Sequence, residues 1–260
     1  MNIEIHNKTS TSPNLPLYKC LNCNSNIENK FCSTCGQKTS THRFSLQHFF
    51  VHDFVHGVFH FDKGFPYTIK ELFTRPGHSI REFIEGKRIN HFNYFAFILV
   101  IIAISHYMGS FSHVNKHELY GSSYAGFQKV VKEYYKIVAL AGIPLFALSS
   151  YLLFRRSKQN YTEHLVLNIY RLSAYLIMSG IFTLISLFYT NVSGLQILNR
   201  GLAFSEVIYS SWFFYQYFSV FGYKKWVLVS KSILMAFILI TINNGLIGYA
   251  VEQIGLMFFH

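Results

Sequence analysis

Two regimes of apolar spacing divide this chain. From about residue 92 onward, apolar residues come in long runs broken by short polar stretches. Five runs approach the roughly 17–25 residues that cross a bilayer as a helix. They are Phe92–Met108, Ile137–Phe154, Leu165–Tyr189, Leu202–Phe221 and Val227–Val251. Pro144 is expected to kink the second. Before residue 92 the apolar positions follow a helical period instead. Ile69, Leu72 and Phe73 share one face of a short helix over Pro66–Phe73, which Arg75-Pro76-Gly77 ends. Ile80, Phe83 and Ile84 share one face of the next, with Arg81, Glu82, Glu85, Lys87 and Arg88 opposite. That helix is expected to lie on the inner leaflet, with Arg81, Lys87 and Arg88 reaching lipid phosphates. Gly86 then lets the chain turn into the first span.

Residues 46–60 carry a further periodicity. His48, His52, His56 and His60 recur every four residues, while Leu46, Phe50, Phe54 and Val58 form a second series about 200° away on a helix. Two histidines at i, i+4 can share a metal, so His52 and His56, with Asp53, are candidates for a metal or proton site. The competing reading is an interfacial helix whose imidazoles sit at the water line, and Gly57 counts against an unbroken helix.

Four cysteines, Cys20, Cys23, Cys32 and Cys35, form two C-x-x-C pairs eight residues apart. This spacing lets two tight turns aim four thiolates at one point, as a structural Zn²⁺ site requires. Two disulfides or four separate thiols are the alternatives. Gly36 suits the turn after the second pair, and Phe31 is placed to cover the metal. A closed four-thiolate site is structural, not catalytic, and implies a reducing compartment. The chain therefore divides into a polar tail (1–18), a zinc ribbon (19–40), amphipathic juxtamembrane helices (41–91) and a transmembrane bundle (92–260). The tail contains Pro13 and Pro16 and no apolar stretch of a signal peptide.

Composition agrees with a membrane class. Charged residues make up 13% of the chain, against about 25% in average soluble domains. Aromatic residues reach 18%. The net charge of +11 is spread over positions flanking the spans, which favours anionic lipid over nucleic acid as partner. Lys and Arg alternate between the two sides. Arg155, Arg156, Lys158, Lys224 and Lys225 fall on the side of the ribbon, and the C-terminal end has none. The expected fold is an all-α membrane protein, a five-helix transmembrane bundle with interfacial helices and an N-terminal zinc ribbon. The N-terminus is expected in the cytosol and the C-terminus outside.

Ionisable groups inside spans are functional candidates. Glu163 and His164 open the third span, and Arg171 lies two turns deeper. Glu206 is placed near the outer face and is not expected to reach Arg171. With His52 and His56, the group Glu163, His164 and Arg171 could line a polar pocket at the cytosolic edge. Helix capping and interhelical hydrogen bonds are the simpler account. Asn243-Asn244-Gly245 interrupts the fifth span. Phosphate loops, nucleophile elbows and H-E-x-x-H motifs are absent from the sequence.

The order of motifs is a ribbon ending Cys35-Gly36-Gln37, then HDFVHGVFHFDKG, then LFTRPGHSIREFIEGKR, then Glu163-His164-Leu165-Val166. It resembles an uncharacterised family of bacterial inner-membrane proteins, a domain of unknown function with an N-terminal zinc ribbon, over roughly residues 20–190. Five spans behind a ribbon are also loosely similar to bacterial Yip-like proteins. The resemblance implies an inner-membrane location and no activity. The leading expectation is an interaction, scaffold or regulatory module whose ribbon meets a protein partner. The alternative is a small transporter or membrane enzyme using the polar group above. Self-association is compatible with either, and nucleic-acid binding is not expected, since Lys19, Lys30 and Lys38 are the ribbon's only basic residues.

Overall fold

The computed structural model describes residues 18–27, 29–41, 43–45, 64–111, 135–189 and 191–242. Two short antiparallel strands, β1 (Tyr18–Lys19) and β2 (Asn26–Ile27), open the ribbon, with Tyr18 opposite Ile27. Helices follow: α1 (Gly64–Thr74), α2 (Pro76–Glu85), α3 (Tyr94–Ser110), α4 (Tyr135–Ala141), α5 (Ile143–Leu153), α6 (Tyr161–Ser186), α7 (Val192–Phe218) and α8 (Lys225–Thr241). The fold is mostly helical, as expected. The histidine series, with His52, Asp53 and His56, and the Asn243–Gly245 interruption lie outside the described residues.

Local chemistry sets the helix boundaries. Pro76 opens α2, where its missing N–H costs nothing, and Gly86 closes it in the left-handed region at φ 119°. Asn93 caps α3 by accepting from the Phe95 and Ala96 N–H groups. At α6, Asn160 and Glu163 form a capping box, each side chain accepting from the other's backbone N–H. Pro144 does not kink a long helix. The chain breaks at Gly142, and Pro144 sits in the first turn of α5.

The core is organised around α6, which packs against α1 through α5 and α7; α8 closes the bundle on α7 and α5. Leu167, Tyr170, Ala174 and Leu176 are fully enclosed, with Phe97 of α3 and Phe146 of α5. Tyr170 Oη donates to the Phe92 carbonyl at 2.6 Å. Gly77 lies so close to α7 that a Cβ there would come within 2.3 Å of the Tyr217 nitrogen. Only glycine permits that crossing, and its N–H donates to Gln216 Oε1 at 3.2 Å.

Five membrane-length helices are not found among the described residues. Among the described residues, α6 alone is both long and apolar enough to cross a membrane, and 67% of its apolar window is buried inside the protein. α3 is 17 residues long, α8 is described over 17 residues, the second segment is split into α4 and α5, and α7 carries Arg200 and Glu206. The apolar face of α2 is also redirected. Ile80, Phe83 and Ile84 are buried within the protein, Phe83 edge-on to Tyr170 at 5.3 Å, so that face is not available to lipid.

A candidate metal centre and its seat on the helices

Each C-x-x-C pair forms the same turn. In the first, the Asn24 N–H donates to the Cys20 carbonyl at 2.9 Å, and in the second the Gly36 N–H donates to the Cys32 carbonyl at 2.8 Å. Asn24 and Gly36, the residues after each pair, both take positive φ, 60° and 75°. Asn tolerates that region better than most side chains, which is why the first turn works without glycine. Each turn is closed by a second bond, Cys20 N–H to the Ser25 carbonyl and Cys32 N–H to the Gln37 carbonyl.

The two turns face each other and bring all four sulfurs within 4.8 Å of one another. Cys20 lies 3.6 Å from Cys35 and Cys23 3.5 Å from Cys32. These separations are far beyond a disulfide bond. A metal with bonds of about 2.3 Å in a tetrahedron would hold sulfurs about 3.8 Å apart, so the donor set fits a Zn²⁺-sized thiophilic ion. Ser25 holds the Cys23 thiol down to about 6, while burial pushes Cys35 up to about 11. Phe31 does not cover the site; it is 59% exposed.

The ribbon is seated on the end of α2. Gln37, buried directly after Gly36, donates from Nε2 to the Gly86 carbonyl at 2.8 Å and accepts from the Arg88 N–H at 3.1 Å. Leu21 of the first turn packs on the other side of Gly86, where a Cβ would meet Leu21 Cδ1 at 2.6 Å. Both metal turns thus grip one glycine. Residues 43–44 continue the attachment. Arg43 makes a two-pronged bond to Glu163, at 2.5 and 2.8 Å, and Asn160 Nδ2 donates to the Phe44 carbonyl at 2.8 Å. The Arg88 guanidinium lies 3.9 Å above the Phe44 ring.

Of the basic residues expected to face lipid, Arg81 and Arg88 are engaged within the protein, while Lys87 stays exposed. Arg81 is turned inward and donates to the Gln216 and Tyr217 carbonyls, capping the end of α7. Arg88 is occupied by Phe44 and by the Phe83 carbonyl. Lys87 reaches Glu82 at 3.4 Å. Arg75 and Lys87 lower the Glu82 pKa, outweighing the larger opposing effect of burial.

Glu163, His164 and Arg171 engage separate partners. Glu163 serves the capping box and Arg43. His164 Nδ1 lies 2.9 Å from Ser150 Oγ, which also accepts from Asn168 Nδ2 at 3.0 Å. Arg171 is paired with Glu206 at 3.3 Å, a partner not expected from the position of Glu206 in the sequence. The pair borders a cavity of about 10 Å³, room for one water molecule. Arg171 sits eight residues from Glu163, about 12 Å along the helix.

One pair was not signalled by the sequence. Ser79 Oγ lies 2.8 Å from His91 Nε2, joining α2 to the turn before α3. Burial lowers the His91 pKa to about 4, so the ring is neutral, and its tautomer decides which of the two groups donates. The twelve-residue separation of Ser79 and His91 matches no helical repeat.

The family described as Protein of unknown function (DUF3667) matches residues 62–105, a stretch spanning α1, α2 and most of α3. That is narrower than the 20–190 resemblance read from the motifs, and similarity to Yip-like proteins is not among the matches. No curated protein and no solved structure matches the chain.

Proposed function

We propose that this chain is a membrane-embedded protein whose zinc-loaded ribbon forms one rigid cytosolic platform with α1 and α2, and that the platform binds a protein partner. The observation that carries this reading is the double grip on Gly86 by Gln37 and Leu21, which fixes the ribbon to the helices instead of leaving it on a tether. Phe31, 59% exposed at the ribbon surface, gives a partner an aromatic anchor.

Exposed apolar residues support the membrane setting. Phe204 and Ile208 of α7, Ile181 and Leu184 of α6, and Leu234 and Phe237 of α8 are all between 49% and 68% exposed. Such surface is costly in water and ordinary in lipid. In this setting α3, α6, α7 and α8, with the α4–α5 pair, make a multi-pass bundle with the ribbon in the cytosol and the C-terminus outside. The polar turns at 155–158 and 222–225 share the ribbon's side, as the distribution of Lys and Arg requires. Transport or catalysis at the cytosolic edge would need Glu163, His164 and Arg171 to converge with His52 and His56. The first three have the separate partners given above, and the other two lie outside the described residues.

Crosslinking in intact membranes followed by pull-down tests the platform. Phe31→Ala and the paired change Cys32→Ser with Cys35→Ser should both lose a partner that the unaltered chain retains. An unchanged set of partners in both variants contradicts the reading.

A further inference from the structure

The turns that precede α6 and α8 are locked together at the basic end of the bundle. The Phe154 and Phe218 rings stack at 3.9 Å, and Tyr223 meets Phe154 edge-on at 6.1 Å. Lys231 donates to the Leu153 carbonyl at 2.8 Å and lies 5.2 Å from the Tyr223 ring. Arg156 approaches the same ring at 5.8 Å. The joint sets Arg155, Arg156 and Lys158 of one turn beside Lys224 and Lys225 of the other, all five exposed. Among the described residues, no carboxylate forms an ion pair with any of them. Trp226 follows at once, 87% exposed, and beyond it α8 presents Val227, Ile233, Leu234 and Phe237 outward.

We propose that these two turns bind the headgroup of an anionic phospholipid, with its acyl chains along the outer face of α8. The proposal rests on the membrane reading above. The basic cluster neutralises the phosphate, the Trp226 ring sits at headgroup depth, and the apolar wall accepts the chains. A free phosphate would use only the first of these three features. The apolar continuation therefore commits the site to a lipid. Arg81 and Arg88 play no part, being held within the protein.

The test uses the full chain purified in neutral detergent, with phosphatidylglycerol, phosphatidylcholine or inorganic phosphate added. Native mass spectrometry should show phosphatidylglycerol retained several-fold more than phosphatidylcholine, with phosphate failing to displace it. Lys224→Gln with Lys225→Gln should remove most of that preference, as should Arg155→Gln with Arg156→Gln. In a Trp212→Phe background, phosphatidylglycerol with brominated chains should quench Trp226 fluorescence, a readout that needs no charge variant. Equal retention of the two lipids, undiminished preference in both variants, displacement by phosphate, or absence of quenching would each overturn the site. Failure of the membrane reading itself would show separately, as release of the chain from membranes by alkaline carbonate.

Discussion

Gln37 and Gly86 are joined by a 2.8 Å hydrogen bond that crosses from the metal turn to the end of a helix. Gly86 satisfies three demands at once. It holds φ 119°, leaves room for Leu21, and offers its carbonyl to Gln37. Gly86→Ala should therefore destabilise the fold by about 1–3 kcal/mol through backbone strain alone, before the clash with Leu21 is counted. Gln37→Ala should cost a similar amount by leaving the Gly86 carbonyl and the Arg88 N–H without their partner. Thermal unfolding of the two variants in detergent checks both. Faster transfer of a loaded metal ion to a competing chelator should accompany the loss, and unchanged transfer would mean that the seat does not support the cysteine turns.

The sequence made the metal centre legible because thiolate chemistry demands short, regular spacing. Glu163 at the positive start of α6 and Gly86 at the end of α2 were legible for the same reason, since each acts on its own turn. Contacts between elements were not. Arg81 looked free because nothing in its neighbourhood shows that the Gln216 and Tyr217 carbonyls need a donor. The apolar run that starts at Leu202 puts Glu206 near one end of a span. The helix begins at Val192 and ends at Phe218, which puts Glu206 about 18 Å from its C-terminal end and level with Arg171. The apolar runs mark where the helices lie, but Gly142 and Pro144 divide the second of them and the fourth helix is longer than its run.

The Arg171–Glu206 pair should behave as a buried pair. Either Glu206→Leu or Arg171→Met alone strands its partner and should cost about 3–5 kcal/mol. The double change Arg171→Met with Glu206→Leu should recover most of the loss. A melting series over the four proteins measures the coupling, and additive losses would show that the two side chains act independently.

His91 makes stability depend on acidity. The folded ring holds a pKa of about 4, below the ordinary value of about 6.5, so the unfolded chain takes up the proton first. The contribution is whole above pH 6.5, declines as pH falls toward 4, and changes no further below that. It amounts to at most about 3 kcal/mol. Because thiolate ligands also release metal in acid, the comparison must be with His91→Gln at each pH. The variant should show a flatter profile between pH 6.5 and 4, and parallel profiles would assign the acid sensitivity elsewhere.

Metal identity has its own readout. Co²⁺ loaded into metal-free protein should bind one ion per chain and give the visible absorption of a tetrahedral thiolate site. Zn²⁺ should displace it. Cys23→Ser should shift or abolish the spectrum. Six-coordinate Co²⁺ absorption would rule out the four-sulfur site.

Hydrogen exchange on the intact protein, metal-loaded and after chelation, tests most directly whether ribbon and helices form one platform. Protection should fall together in residues 18–41 and in residues 84–90 around Gly86, while the buried middle of α6 stays protected. Loss confined to residues 18–41, with 84–90 unchanged, would contradict the account, because the ribbon would then be a passenger on the helices and not part of their structure.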